Sequence, residues 1–375
     1  MKIAMVSDAH HMRIAELASA LARSGHLVTV YSHGDHGGSR DRTLTPRGYS
    51  VVHLPEGPAP LPEGDLPACT ESLARFFDAE WAADRPDTVH GHFGMSGVAA
   101  QLAARHLDLP TVQTLPAHAS DAHRVAVESG HPRRHLDALV ARSASWVTAA
   151  STDDGSRLLR LGVPRGRLSV VPTGVDLQLF NSDGPVAARS DVQRIVSIGQ
   201  LVSRSGFDTI IRALPNIAHA ELLLIGGFDG SGSDFDSESD QLTGLAAKLG
   251  VAHRLQIRAS IPREELPAVL RSADVVVCTP ENAGGLEAMA CGVPVVATCG
   301  VMVDAVVHDV TGYLINPSRP GELPKAVNRL LHDDFLRQSM GAAGRDRARA
   351  RYSWDRVASD CEQIYSRLSQ LRASA

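Results

Sequence analysis

The sequence predicts a two-domain α/β protein, each domain a parallel sheet covered by helices on both faces. Three observations predict it. The chain has 375 residues, more than one hydrophobic core commonly fills. Short apolar runs alternate with amphipathic stretches, the pattern of buried strands under helices. That alternation breaks at the turn-forming stretch Asn181-Ser182-Asp183-Gly184-Pro185 and then starts again. The expected domains are residues 1–180 and 181–353, followed by a C-terminal helix within 354–375.

Lys2 to Ser7 reads as the first strand. From Met12 to Arg23 the apolar residues Ile14, Leu17, Ala18 and Leu21 recur at helical spacing, and Gly25 supplies the stop. His26 to Tyr31 is the second strand. Further strands are expected at Val51 to Leu54, Thr88 to His90, Thr111 to Thr114, Trp146 to Ala150 and Leu168 to Val171, with a helix over Glu71 to Ala83. In the second half, strands are expected at Arg194 to Ile198, Glu221 to Ile225, Leu255 to Ile257, Asp274 to Thr279 and Pro294 to Ala297. The polar, glycine-rich run Gly230 to Asp234 reads as an exposed loop, and Trp354 to Leu371 as the last helix.

Composition narrows the function. Apolar residues make up 43% and charged residues 21%, as in globular proteins, and a net charge of -5 offers no basic footprint for nucleic acid. Cys69, Cys278, Cys291, Cys299 and Cys361 include no C-x-x-C pair, which points to a reducing cytoplasm rather than a disulfide framework. No apolar run approaches the ~20 residues of a membrane span, and the N-terminus lacks the pattern of a signal peptide. His10-His11 and His90-x-His92 lack accompanying cysteine or carboxylate spacing, so neither a metal nor another cofactor is expected. His92 follows a strand end, where open parallel sheets place their ligand crevices. Oligomeric state is not legible.

At Gly174-Val175-Asp176, preceded by Val171-Pro172-Thr173 and followed by Phe180, the chain resembles the V-P-N-G-V-D-x-x-x-F segment of family-four glycosyltransferases. The run Glu287-Ala288-Met289-Ala290-Cys291-Gly292-Val293-Pro294-Val295-Val296-Ala297 resembles the E-A-M-A-x-G-x-P-V-V-A signature of the same family. His90-Gly91-His92-Phe93, the Gly199 to Gly206 loop, Pro262 followed by Ala273-Asp274-Val275, and Tyr352-Ser353-Trp354 fall in the family's order. The resemblance implies a GT-B fold, two facing Rossmann-like domains with a cleft between them. It also implies a nucleotide-sugar donor held mainly by the C-terminal domain and a small-molecule acceptor held mainly by the N-terminal one. Metal-independent transfer with retention, and a last helix that crosses back to the first domain, complete the expectation.

The donor set expected from this resemblance is Gly199, Gln200, Arg204, Ser205, Gly284, Gly285, Leu286 and Glu287. Gly284-Gly285 precede a helix beginning near Leu286, so backbone N–H groups and a positive helix end can face a diphosphate without side-chain obstruction. The resemblance gives Glu287 the role of accepting hydrogen bonds from ribose hydroxyls. As a purely structural residue it would be a helix-dipole carboxylate worth ~0.3–1 kcal/mol.

The chain also departs from the family. Five residues separate Glu281 from Glu287, two fewer than in the family's paired-glutamate motif, which leaves Glu281 to reach the sugar by another path. In Gly199-Gln200-Leu201-Val202-Ser203-Arg204-Ser205-Gly206, Gln200 and Ser205 stand where the G-R-L-x-x-x-K-G pattern has cations. Those cations stabilise the charge growing on the leaving diphosphate; Arg204 is the available replacement or else a solvated loop residue. Ser7-Asp8-Ala9-His10-His11-Met12 has no glycine where the family has a glycine-rich loop. Pro116 replaces the histidine of a T-x-H motif, and His118 lies two residues beyond. Glu281, His118 and Arg204 are therefore the catalytic candidates, and His92 the substrate-binding one. Two functions fit: a retaining transferase with a remodelled site, as in specialised-metabolite biosynthesis, or an inactive relative that binds a nucleotide or a partner protein.

Overall fold

In the computed structural model the described residues are 1–7, 12–33, 42–54, 66–92, 94–115, 139–202, 205–226, 235–279, 284–298, 301–316, 318–319 and 321–374. The chain divides into two compact units: Met1–Gly174 together with Trp354–Ala375, and Val175–Ser353. The division falls before the Asn181–Pro185 turn because Val175 and Phe180 are already buried in the core of the second unit.

In the first unit β1 (Lys2–Ser7), α1 (Met12–Arg23), β2 (Leu27–Ser32), β3 (Thr43–Leu44), β4 (Ser50–His53), α2 (Leu66–Ala83), β5 (Thr88–His92), α3 (Gly94–His106), β6 (Thr111–Thr114), β7 (Trp146–Ala149), α4 (Thr152–Arg160) and β8 (Leu168–Val170) follow one another. Their sheet runs β3-β4-β2-β1-β5-β6-β7-β8, with all neighbours parallel except β3 and β4. The strand order reverses between β1 and β5. That switch point is where doubly wound sheets open a crevice at their carboxyl ends.

Residues alternate across this sheet as a two-residue period requires. Ile3 and Met5 join the core with α1 and the last helix, while Ala4 and Val6 join the core containing Phe77 and Trp81 of α2. Gly91 sits between two histidines because a Cβ there would lie 2.6 Å from Gln113 Oε1 and 3.4 Å from the Gly97 backbone of α3.

In the second unit the order is β9 (Gln193–Ile198), α5 (Phe207–Ala213), β10 (Ala220–Ile225), α6 (Phe235–Lys248), β11 (Leu255–Arg258), α7 (Leu266–Arg271), β12 (Val275–Cys278), α8 (Gly285–Ala290), β13 (Val295–Thr298), β14 (Gly312–Ile315), α9 (Glu322–His332) and α10 (Asp334–Arg351). The parallel sheet runs β11-β10-β9-β12-β13-β14, so its switch point lies between β9 and β12. At the amino end of β9, Arg194 Nε donates to Glu221 at 2.6 Å, and Arg189 donates to Asp274 at 2.6 Å. This charge network, with Arg194, Glu221 and Asp274 buried and Arg189 exposed, lies at the opposite end of the sheet from the switch-point loops.

The last helix, α11 (Trp354–Ala373), belongs to the first unit and packs on α1. Its first residue explains Gly174: a Cβ there would come within 2.5 Å of the Trp354 ring. One residue further, in the second unit, the Val175 N–H donates to the Tyr352 carbonyl at 2.7 Å. Asp176 accepts from the N–H groups of Gln178 and Leu179, and Phe180 is buried beneath the Arg263 guanidinium. The G-V-D-x-x-x-F and Y-S-W motifs are thus architectural.

Two strands escape the sequence pattern. Both residues of β3 are exposed, so no apolar run marks it. The start of β14 is Gly312, packed directly on the Val295 backbone, and glycine there reads as a turn. β5 runs on to His92 rather than ending at His90, and α2 begins at Leu66, where Pro67 is tolerated in a first turn. The expected loop at Gly230 to Asp234 lies outside the described residues, as do His10 and His11.

Candidate functional site

The second unit brings two candidate loops together at its switch point. Gly199 directly follows β9, and its N–H donates to the Ile225 carbonyl at 3.0 Å. Leu201 turns inward while Gln200 is exposed. The loop closes where the Ser205 N–H donates to Val202 O at 2.9 Å and Gly206 adopts φ +78. Thr279, directly after β12, donates its hydroxyl to the Ser205 carbonyl, and its side chain fills the space where a Gly206 Cβ would project. Thr279 therefore ties the turn after β9 to the end of β12. Sequence reasoning missed it because a strand-end threonine has no signal of its own.

Gly284, with φ +87, begins α8, and a Cβ there would meet Ile198 Cδ1 at 2.9 Å. A Gly285 Cβ would meet the Met302 thioether at 2.7 Å and Cys278 Sγ at 3.1 Å. Both glycines are required by backbone conformation and close packing, whatever approaches the helix from outside. Because α8 has only six residues, its macrodipole is small, and its value to an anion rests on the N–H groups that any helix start leaves unpaired.

Glu287 is half-buried on the first turn of α8, with Leu286 half-buried beside it. Burial first and the Glu287 charge second push the Cys278 thiol up to about 12. Cys291 is likewise pushed up to about 12 by burial, partly offset by Arg271, with Glu287 adding to the rise. Both thiols are protonated near neutrality and are packing groups rather than nucleophiles. Ser205, by contrast with Gln200, is only 1% exposed.

In the first unit a polar row crosses the carboxyl ends of the strands: Ser32, Ser7, His92, Thr114 and Thr148 are successive register partners. Ser7 Oγ and Ser32 Oγ are buried without a hydrogen-bond partner among the described residues, an arrangement that costs about 1–3 kcal/mol each if nothing ever pairs them. His92 is 5% exposed, and burial pushes its imidazole down to about 3, so it is neutral at physiological pH. Its ring stacks on that of His90, centroids 4.1 Å apart. Of the expected site residues, Gly199, Gln200, Ser205, Gly284, Gly285, Leu286 and Glu287 occupy the second unit and His92 the first. Glu281, His118 and Arg204 lie outside the described residues.

Comparison with known proteins agrees with this architecture. A family model described as glycosyl transferase 4-like domain matches residues 10–174, and one described as glycosyl transferases group 1 matches residues 182–347. A D-inositol 3-phosphate glycosyltransferase of Xylanimonas cellulosilytica is 29% identical, with 96% of this chain and 91% of the relative covered. Among solved structures, sucrose-phosphate synthase from Thermosynechococcus elongatus is similar with a TM-score of 0.83, 24% identity and 100% of each chain covered. The Anabaena protein HepE in complex with UDP is similar with a TM-score of 0.76, 18% identity, and 98% of this chain and 100% of that one covered. With both units matched by family models and two parallel sheets of the Rossmann kind on the page, the chain belongs to the family-four glycosyltransferases, enzymes of GT-B fold.

Proposed function

We propose that the protein transfers a sugar from a nucleoside-diphosphate sugar to a small-molecule acceptor, with retention at the anomeric carbon, in the cytoplasm. The observation that carries the donor half is the tie between Ser205 and Thr279 at the β9/β12 switch point, with Gly284 and Glu287 following it in the same unit. In this reading the diphosphate lies beside the exposed Gln200 and against the N–H groups of Gly285 and Leu286. The Glu287 carboxylate accepts hydrogen bonds from the ribose hydroxyls. Arg204 neutralises the leaving diphosphate in place of the cations that Gln200 and Ser205 replace, Glu281 faces the sugar, and His118 faces the acceptor. These last three roles rest on sequence alone.

UDP is the first nucleotide to try, because similar structures contain UDP or UDP-glucose. The neutral His92 and the buried hydroxyls of Ser7 and Ser32 support an acceptor rich in hydroxyl groups, which such a row can recognise by hydrogen bonding. The altered diphosphate loop supports a donor or acceptor particular to a specialised pathway.

The test is UDP release from UDP-glucose in the presence of polyol and sugar-phosphate acceptors. Acceptor-dependent release, with an α-linked product, is expected. No nucleoside diphosphate released from any nucleotide sugar would contradict transfer, and a β-linked product would contradict retention.

A further inference from the structure

The first unit contains a buried polar chain that the proposed chemistry does not use. His90 on β5 is 1% exposed, and both of its ring nitrogens are engaged: Nδ1 lies 2.7 Å from the Tyr365 hydroxyl and Nε2 2.8 Å from Thr114 Oγ1. Thr114 Oγ1 is itself 2.6 Å from Thr148 Oγ1. Burial, with a smaller contribution from His92, holds the His90 imidazole well below the usual histidine range. A neutral imidazole has one donor and one acceptor nitrogen, so the two hydroxyls must take opposite roles. Either tautomer satisfies this pair of bonds, and in both the ring is held in one orientation.

His92 is two residues on and shares the same sheet face. Its ring lies on the His90 ring at 4.1 Å with the planes 29° apart. A displacement of His90 therefore moves the surface against which His92 is packed. Tyr365 comes from α11, fully buried and turned edge-on to His90, so the C-terminal helix reaches the carboxyl end of the β1/β5 switch point through one hydroxyl and two stacked rings.

We propose that His90 is a positioning residue, clamped between Tyr365 and Thr114, that fixes the orientation of the His92 ring at the acceptor end of the first unit. The acceptor role of His92 rests on the function proposed above; the clamp does not. The arrangement gives a hydroxyl-bearing acceptor a neutral ring edge in a fixed place. A mobile imidazole would present that edge in varying positions and discriminate between acceptors less well.

The test uses the full chain labelled with ¹⁵N in its histidine rings, with a His92→Phe spectrum to assign the His92 resonances. Wild-type His92 is expected to show one narrow set of ring resonances, its carbon-bound protons displaced by the ring current of the stacked His90. Tyr365→Phe keeps the aromatic packing and removes the hydroxyl, whereas Thr114→Val removes the other clamp. In both, the His92 ring-proton resonances should lose that displacement or broaden as the ring reorients, and Thr114→Ser should restore the wild-type pattern. Unchanged His92 resonances in both folded variants, with only those of His90 shifted, would overturn the positioning role. A loss of unfolding midpoint without any change at His92 would overturn it as well, leaving the chain as core packing. Failure of the wild-type protein to bind UDP would instead contradict the donor reading, with the ring spectra still deciding the clamp.

Discussion

Gln200 and Ser205 show at the residue scale how position decides what a substitution can do. Gln200 is exposed in the turn after β9, so Gln200→Arg adds a guanidinium where a diphosphate would sit. UDP affinity should rise by about 1.5–3 kcal/mol, the scale of a hydrogen bond to a charged group, and the gain should shrink as salt is added. Calorimetry at two ionic strengths checks it. Ser205 is buried with its carbonyl held by Thr279. Ser205→Lys places an ammonium where the unliganded protein has no room to solvate it, and the unfolding midpoint should fall, with UDP recovering part of the loss by linkage. For Glu287, removing the carboxylate in Glu287→Ala should weaken UDP binding about 10- to 100-fold, corresponding to the lost charged hydrogen bonds. Equal affinity in the folded variant would make Glu287 a helix-dipole residue only. The sequence announced Glu287 through its surrounding motif; it concealed Thr279 and the Tyr365–His90 pairing, because residues separated by 275 positions meet only once the fold is made.

Glycine marks the same difference at the scale of elements. Gly341 lies on α10 where a Cβ would come 2.0 Å from the Gly292 carbonyl at the end of α8. Gly341→Ala should separate the two helices and cost about 1–3 kcal/mol or more. Gly244 lies inside α6 with nothing within 4 Å of an added Cβ. Gly244→Ala should stabilise by about 0.5–1 kcal/mol through helix propensity. Denaturant midpoints of the two variants should move in opposite directions. Alternating apolar runs made nearly every core strand legible, since period and burial act on the same residues. Strand β3 was not, having two exposed residues, and β14 was not, having a glycine dictated by a neighbouring backbone. The G-V-D-x-x-x-F motif was legible as a family mark, but its physical reason, Gly174 against Trp354, needed the last helix in place.

For the whole molecule, two buried neutral histidines couple stability to pH. The folded pKa of His92 is depressed to about 3 from the usual 6.5, and His90 is depressed in the same direction by burial and by its neighbour. Between those values the unfolded chain binds the extra protons. Stability from this source is complete above pH 6.5 and declines as pH falls below it, by up to about 1.4 kcal/mol per pH unit for each histidine. Thermal unfolding followed from pH 7.5 to 5.0 should show a falling midpoint, with a shallower slope in His92→Phe. An unaltered slope would place the acid sensitivity elsewhere. The architecture of two α/β cycles and the family were legible from the chain alone, because repeated strand–helix alternation and two spaced motifs survive divergence at the site. What binds there is tested most directly by amide hydrogen exchange of the full-length protein with and without saturating UDP. Slowed exchange confined to residues 199–206 and 284–291 is the expected result; binding of UDP with protection at other segments and none at these two would contradict the donor site described for the β9/β12 switch point.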